Sequence, residues 1–349
     1  MQDLKIAVYT ICKNEGRFVE RWANSNTDAD FRLVCDTGST DNTIANLKSH
    51  NVNVIPISVM PWRFDTARNT VLNLLPSDID ICISQDLDEE LLPGWRTALE
   101  HKWHQNATIA YHRYRHNNNH WQWHSKIHAR HGCWWTGIVH ETLSWNRPDD
   151  IVWIENLFLD EHQDTTKSRS NYLQLILQKI QEGDKHWRTY YFLANEYENI
   201  GDIQRSIDSR KISYDRCDDG NTVLSYIAKN LARQYSSLND QLSAEKWFRI
   251  SINDSDEKES WFAYCQYLYN KRDWEGCYIA AKKCISISEK RTGFTYDAAA
   301  WDWHVYDYAA LSAYNIGLLN QAAAYGKLAV GENPGDERLQ TNLKFYEQS

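Results

Sequence analysis

The chain lacks any stretch of about 18 consecutive apolar residues, so no transmembrane helix is predicted. It has no low-complexity tail, and Met1-Gln2-Asp3 runs straight into a strand-like segment, leaving no expected place for a signal peptide. The eight cysteines are scattered, several of them within predicted strands or helices. They read as buried free thiols of a reducing compartment, and a cytoplasmic location is expected. Positive charge is in deficit, with 38 Lys and Arg against 47 Asp and Glu and a net charge of −9. That argues against a nonspecific nucleic-acid binder, although it leaves DNA open as a substrate. No glycine- and lysine-rich loop follows the first strand, which disfavours nucleotidyl transfer.

What is present is a chain of 349 residues with 42% hydrophobic content, enough for two domains with a core each. The segment ICISQDLDEEL, Ile81 to Leu91, carries the most chemistry: a short apolar run ends in Asp86, Asp88, Glu89 and Glu90. Buried strands need such apolar runs, and ionised carboxylates are costly to bury uncompensated. Asp86 and Asp88, one residue apart at a strand exit, suit a hard divalent ion and the phosphates it carries. Acids after a strand are also common in solvated turns. The same pattern recurs upstream. Lys5 to Cys12 breaks into Lys13-Asn14-Glu15-Gly16, and Phe31 to Cys35 breaks into DTGSTDNT, Asp36 to Thr43, each followed by a helical segment. Strand, polar loop and helix in alternation predict parallel βαβ units, with the ligand site at the carboxyl ends of the strands.

Four motifs in this order make a specific match: Cys12-Lys13-Asn14-Glu15, then Asp36 to Thr43, then Trp62-Arg63-Phe64-Asp65 with Ala67-Arg68-Asn69, then Asp86-Leu87-Asp88-Glu89. The N-terminal half resembles a family 2 glycosyltransferase of the GT-A fold. The resemblance implies that Asn14, Glu15, Asp36 and Asp65 bind the nucleotide, and that Asp86 and Asp88 face a Mn²⁺ or Mg²⁺ ion on its diphosphate. Arg68 would pair with phosphate, or else form a helix-surface ion pair. It implies an inverting transfer, with a carboxylate base across the sugar from the diphosphate. Glu141, in Trp134-Trp135-Thr136-Gly137-Ile138-Val139-His140-Glu141, is the candidate base; an acid that only orients His140 or a backbone amide is the other reading. His162, in Leu159-Asp160-Glu161-His162, falls where such enzymes place a histidine near the metal, although an ordinary polar loop residue would look the same.

Nine of the thirteen histidines lie between His101 and His140, and His112, His116, His120, His124 and His128 recur every fourth residue. That spacing keeps them on one face of a helix or a strand, and the interleaved Tyr111, Tyr114, Trp121, Trp123 and Ile127 favour strands. Without a cysteine pair a zinc site is disfavoured. The segment is expected to line an acceptor pocket by aromatic stacking, or to pack within the sheet. Arg113, Arg115, Lys126 and Arg130 are a candidate basic face.

From about Thr166 the texture becomes helical, beginning with an amphipathic segment from Lys167 to Gln181. Turns recur at Gly201-Asp202, Asn239-Asp240 and Arg272-Asp273, at intervals of 38 and 33 residues, and again near Leu318-Leu319-Asn320. This resembles tetratricopeptide helical hairpins, whose period is about 34 residues, with Arg291 to Asp302 as an inserted loop.

The sequence therefore predicts a Rossmann-like α/β domain of the GT-A type over 1–165 and an all-α tetratricopeptide-like solenoid over 166–349. The expected function is metal-dependent, inverting sugar transfer from a nucleotide-sugar, UDP by default. The acceptor is expected to be a glycan or small molecule first, then protein, then modified DNA. The repeats would hold a macromolecular acceptor, brace the catalytic domain or mediate a homodimer. The competing reading is a noncatalytic partner-binding protein with a relic α/β domain.

Overall fold

The computed structural model describes residues 4–116, 121–164, 171–253, 256–288 and 297–348. The chain divides into two compact units, Met1–Glu182 and Gly183–Ser349.

The first unit is built on β1 (Ile6–Cys12), β2 (Phe31–Asp36), β3 (Asn53–Pro56), β4 (Ile81–Ser84), β5 (Glu89–Leu91), β6 (Ile109–His116) and β7 (Gln122–Ala129). A separate hairpin, β8 (Cys133–Thr136) and β9 (Thr142–Trp145), precedes the long β10 (Ile151–Glu161). The eight-stranded sheet has the order β3-β2-β1-β4-β7-β6-β10-β5. Its first four strands are parallel, while β7 is antiparallel to both β4 and β6, so the sheet is mixed.

The near-continuous apolar run of β1 is what a strand covered on both faces requires. Ile6 and Val8 pack in one core with Trp22 of α1 (Val19–Ser25), Leu47 of α2 (Thr43–Ser49) and Leu99 of α4 (Trp95–Lys102). Ala7 and Tyr9 pack on the other side with Val71 and Leu72 of α3 (Phe64–Leu74). Fully burying a side chain such as Val8 contributes about 2 kcal/mol. Trp22 and Trp95 are buried with their indole N–H groups donated to the carbonyls of Gln85 and Ser25, at 3.0 and 3.1 Å. The helix α5 (Tyr172–Gln181) completes this unit; the predicted helical residues 167–170 and the spaced His120 lie outside the described residues.

The second unit is an all-helical repeat: α6 (Trp187–Asn199) with α7 (Ile203–Arg216), α8 (Asn221–Ser237) with α9 (Gln241–Ile252), α10 (Lys258–Asn270) with α11 (Trp274–Ser286), and α12 (Trp303–Asn315) with α13 (Leu319–Glu332), followed by α14 (Glu337–Gln348). One local device makes the turns. Gly201, Asn239 and Arg272 take positive φ of 80°, 60° and 59°, which stops the first helix of each pair. The aspartate that follows, Asp202, Asp240 or Asp273, then accepts from the amide three residues on at 3.0 to 3.1 Å and starts the second. The last hairpin turns at Gly317 with φ of 79°, and its Leu318 cap makes no side-chain bond. Within the expected insertion, residues 291–296 lie outside the described residues, and Ala298–Ala300 forms a 3-10 turn.

Candidate functional site

Because β2, β1 and β4 are parallel neighbours, their carboxyl ends lie side by side, and the loops they feed meet there. Asn14, with φ of 56°, accepts from the Thr40 amide at 2.7 Å, while its own amide donates to Ser39 Oγ at 2.8 Å. The Glu15 amide donates to Thr43 Oγ1 at 2.8 Å. These bonds tie the loop after β1 to the loop after β2. Asp36, 2% exposed, accepts from the Gly38 and Ser39 amides at 2.9 and 3.0 Å. Burial works to raise its pKa, but the hydrogen bonds from Ser39 and Gly38 hold it below the usual carboxylate range. Gly38, with φ of +103°, is the residue that lets the chain fold back on that carboxylate.

Asp65 heads α3 and receives the Arg63 guanidinium on both oxygens, at 3.1 and 3.0 Å, and the Thr66 and Gly137 amides at 2.7 and 3.1 Å. It thereby anchors the loop leading to Glu141 onto α3.

One turn further along α3, Arg68 is buried and reaches two acids. Its Nη2 donates to Asp86 Oδ1 at 2.9 Å, its Nη1 to Ser84 Oγ at 3.2 Å, and its Nε to Glu141. The helix-surface ion pair considered for Arg68 gives way to a buried bridge between the two carboxylates. Asp86 also accepts from Lys126 Nζ at 3.0 Å and Thr10 Oγ1 at 3.1 Å, and Lys126 bonds Glu89. Burial alone would raise the Asp86 pKa, yet the Arg68 and Lys126 charges drive it far below the ordinary value. Glu89 behaves oppositely. Burial pushes it up to about 8, reinforced by Asp86 and opposed by Lys126.

Lys126 is the functional-site residue that sequence reasoning placed elsewhere. It lies on β7, where the pairing with β6 shifts register between Ala110 and His112, and its ammonium is engaged by Asp86 and Glu89. Arg113 instead lies over Trp123 at 4.1 Å, and Arg115 pairs with Asp160.

His162 donates its backbone N–H to the Asp88 carbonyl at 2.7 Å, while its Nε2 lies 2.9 Å from Glu90 Oε2. Its ring is therefore held by Glu90, beside Asp88 in the chain trace. Among the described residues no three His, Cys, Asp or Glu side chains gather as a closed metal site. An open site is a different test, since Mg²⁺ retains waters and is held by one or two carboxylates together with substrate phosphate. Half-buried Asp86 and Asp88 meet that requirement in donor type. The described residues also contain no helix long and apolar enough to cross a membrane.

No protein-family model matches the chain, and no curated protein matches it. Among solved structures, YrrB, described as a TPR protein with an unusual peptide-binding site, is 11% identical over 50% of this chain and 84% of its own, with a TM-score of 0.41. MamA from Desulfovibrio magneticus RS-1 is 14% identical over 48% of this chain and 85% of its own, at 0.38. S. aureus TarS is 11% identical over 70% of this chain and 55% of its own, at 0.39. Likeness at these scores carries no argument about what this chain does.

Proposed function

We propose that this chain transfers a sugar from a nucleotide-sugar, UDP-linked by default, to an acceptor with inversion at the anomeric carbon. The observation that carries the reading is the meeting of the Asn14, Asp36 and Asp86 loops at the carboxyl ends of three adjacent parallel strands, where open α/β sheets take their ligands. The Asn14–Thr40 and Asp36–Gly38 bonds shape two adjoining loops against which a base and ribose would rest. Asp86 and Asp88 would hold a Mg²⁺ or Mn²⁺ ion, which supplies Lewis-acid neutralisation of the diphosphate leaving group. Lys126 and Arg68 keep Asp86 ionised and ready for that role. Glu141, the proposed base, is held in place by Arg68. The repeat unit would present a macromolecular acceptor or a second copy of the chain.

One observation favours the competing, noncatalytic reading: Arg68, Asp86 and Glu141 satisfy one another without any ligand. Calorimetry with UDP, GDP and UDP-glucose, each with and without Mn²⁺, beside an Asp88→Ala variant, separates the two. Metal-dependent binding that the variant loses supports the transferase. Absence of binding to all three would sink it and leave the repeats as the working part.

A further inference from the structure

The carboxylate of Asp86, the acid proposed to face the metal, is saturated by side chains of this chain. Oδ1 accepts from Thr10 Oγ1 at 3.1 Å and Arg68 Nη2 at 2.9 Å, while Oδ2 accepts from Arg68 Nη2 at 3.2 Å and Lys126 Nζ at 3.0 Å. An ionised carboxylate has about four acceptor positions, and these contacts fill them. The two cationic donors are not equivalent. Arg68 is buried on α3 and spreads its guanidinium over Asp86, Ser84 and Glu141. Lys126 comes from β7 with one ammonium, which it shares between Asp86 and Glu89.

Glu89 is itself fixed, because its Oε2 accepts from the Asp86 amide at 2.9 Å while its Oε1 holds Lys126. The ammonium therefore keeps an acid partner even when it lets go of Asp86. Solvent reaches the pair from one side: the Asp86 side chain is 30% exposed, against 12% for Lys126 and 3% for Glu89. A divalent ion entering from that side meets a full positive charge already seated on Oδ2, and like charges sharing one carboxylate repel. The charge that keeps Asp86 ionised also occupies it. An ammonium on a flexible stem, with three donors, is also a ready ligand for a phosphate oxygen.

We infer that Lys126 is a resident counter-cation at Asp86, which keeps divalent-ion affinity low until a nucleoside diphosphate draws the ammonium from Asp86 to a phosphate oxygen. Ion and nucleotide then load together, and each binds weakly alone. This rests on the transferase reading and deepens it by assigning how the donor site is filled and which residue controls it.

The test follows free Mn²⁺ by electron paramagnetic resonance in titrations of the full chain at neutral pH, with and without UDP, for the wild type, Lys126→Met, Lys126→Gln and Lys126→Arg. The wild type is expected to bind Mn²⁺ at least tenfold more tightly with UDP than without it. Lys126→Met and Lys126→Gln should each bind Mn²⁺ alone at least tenfold more tightly than the wild type, with most of the UDP effect gone. Lys126→Arg, which keeps the charge, should stay at or below the wild type. A merely structural role for Lys126 predicts the opposite direction, since a disturbed site loses metal. Mn²⁺ affinity unchanged or lowered in both neutral variants overturns the inference, and the transferase reading survives it wherever the wild type still binds Mn²⁺ with UDP. Wild-type binding of Mn²⁺ as tight without UDP as with it overturns the inference from the native chain alone, whatever the folding of the variants. No Mn²⁺ binding under any condition removes the inference and the metal-dependent reading together.

Discussion

Arg68 Nη2 donates to Asp86 Oδ1 at 2.9 Å, and the same guanidinium donates through Nε to Glu141. A residue in the first half of the unit thus bridges the strand-end acid to the acid after the β8 strand. Its burial would lower its own pKa, yet the charges of Asp86 and Glu141 raise it, so it is cationic at every working pH.

Replacing Arg68 by Met keeps the apolar stem and removes the charge, depriving Glu141 of its guanidinium and leaving Asp86 with Lys126 and Thr10. Breaking one side of a buried ion pair costs about 3 kcal/mol or more. Urea denaturation of Arg68→Met should show a midpoint lowered accordingly, with Arg68→Lys intermediate because it retains charge but loses the fork. A midpoint equal to the wild type would mean that the bridge contributes nothing to stability.

Lys229 in α8 is 3% exposed, and its pKa is lowered to about 8, by burial first and then by Arg233, against the opposing pull of Glu259, Asp297 and Glu257. Between pH 8 and the ordinary lysine value near 10.5 the unfolded chain holds a proton that the folded chain has released. Stability should therefore rise with pH across that window and be flat below it. Lys229→Met should remove the rise and stabilise the protein at pH 7 by about 3 kcal/mol. Thermal melts at pH 7 and pH 10 decide the matter: a variant no more stable than wild type at pH 7 refutes the buried-charge penalty.

Asp240 caps α9 through the Ser243 amide at 3.1 Å. Loss of such a cap costs about 1 kcal/mol. Asp240→Ala is expected to lower the denaturation midpoint by that amount, and Asp240→Asn to restore most of it. Equal losses in the two variants would show that charge, rather than the capping bond, is what matters there.

Much of this protein was legible in the chain because its signals are local. The helical turns of the repeats are set by a residue that tolerates positive φ followed by an aspartate, and each appears at the positions where the composition placed a break: Gly201-Asp202, Asn239-Asp240, Arg272-Asp273. The buried strands β1, β2 and β4 announced themselves as apolar runs, and their parallel order brings the Asp36 and Asp86 loops together. Of the histidines spaced by four, His112, His116, His124 and His128 sit on strands because the interleaved aromatic and branched residues prefer the pleat.

Pairing between distant residues was not legible. Nothing near Arg68 in sequence says that it lies between Asp86 and Glu141, 18 and 73 residues away. Lys126 looked like one member of a basic cluster, and its inward position depends on the register of β7 beside β4, which places its face toward Asp86 and Glu89. The sequence by itself determined the apolar runs of β1, β2 and β4, which acids leave them, the turns of the repeats and the two-part organisation, since propensity, capping and turn chemistry act over a few residues. Tertiary structure alone decided which charges neutralise one another, and that Glu89 is raised while Asp86 is depressed. Desolvation and Coulomb terms depend on three-dimensional neighbours, and strand register, not chain distance, selects those neighbours.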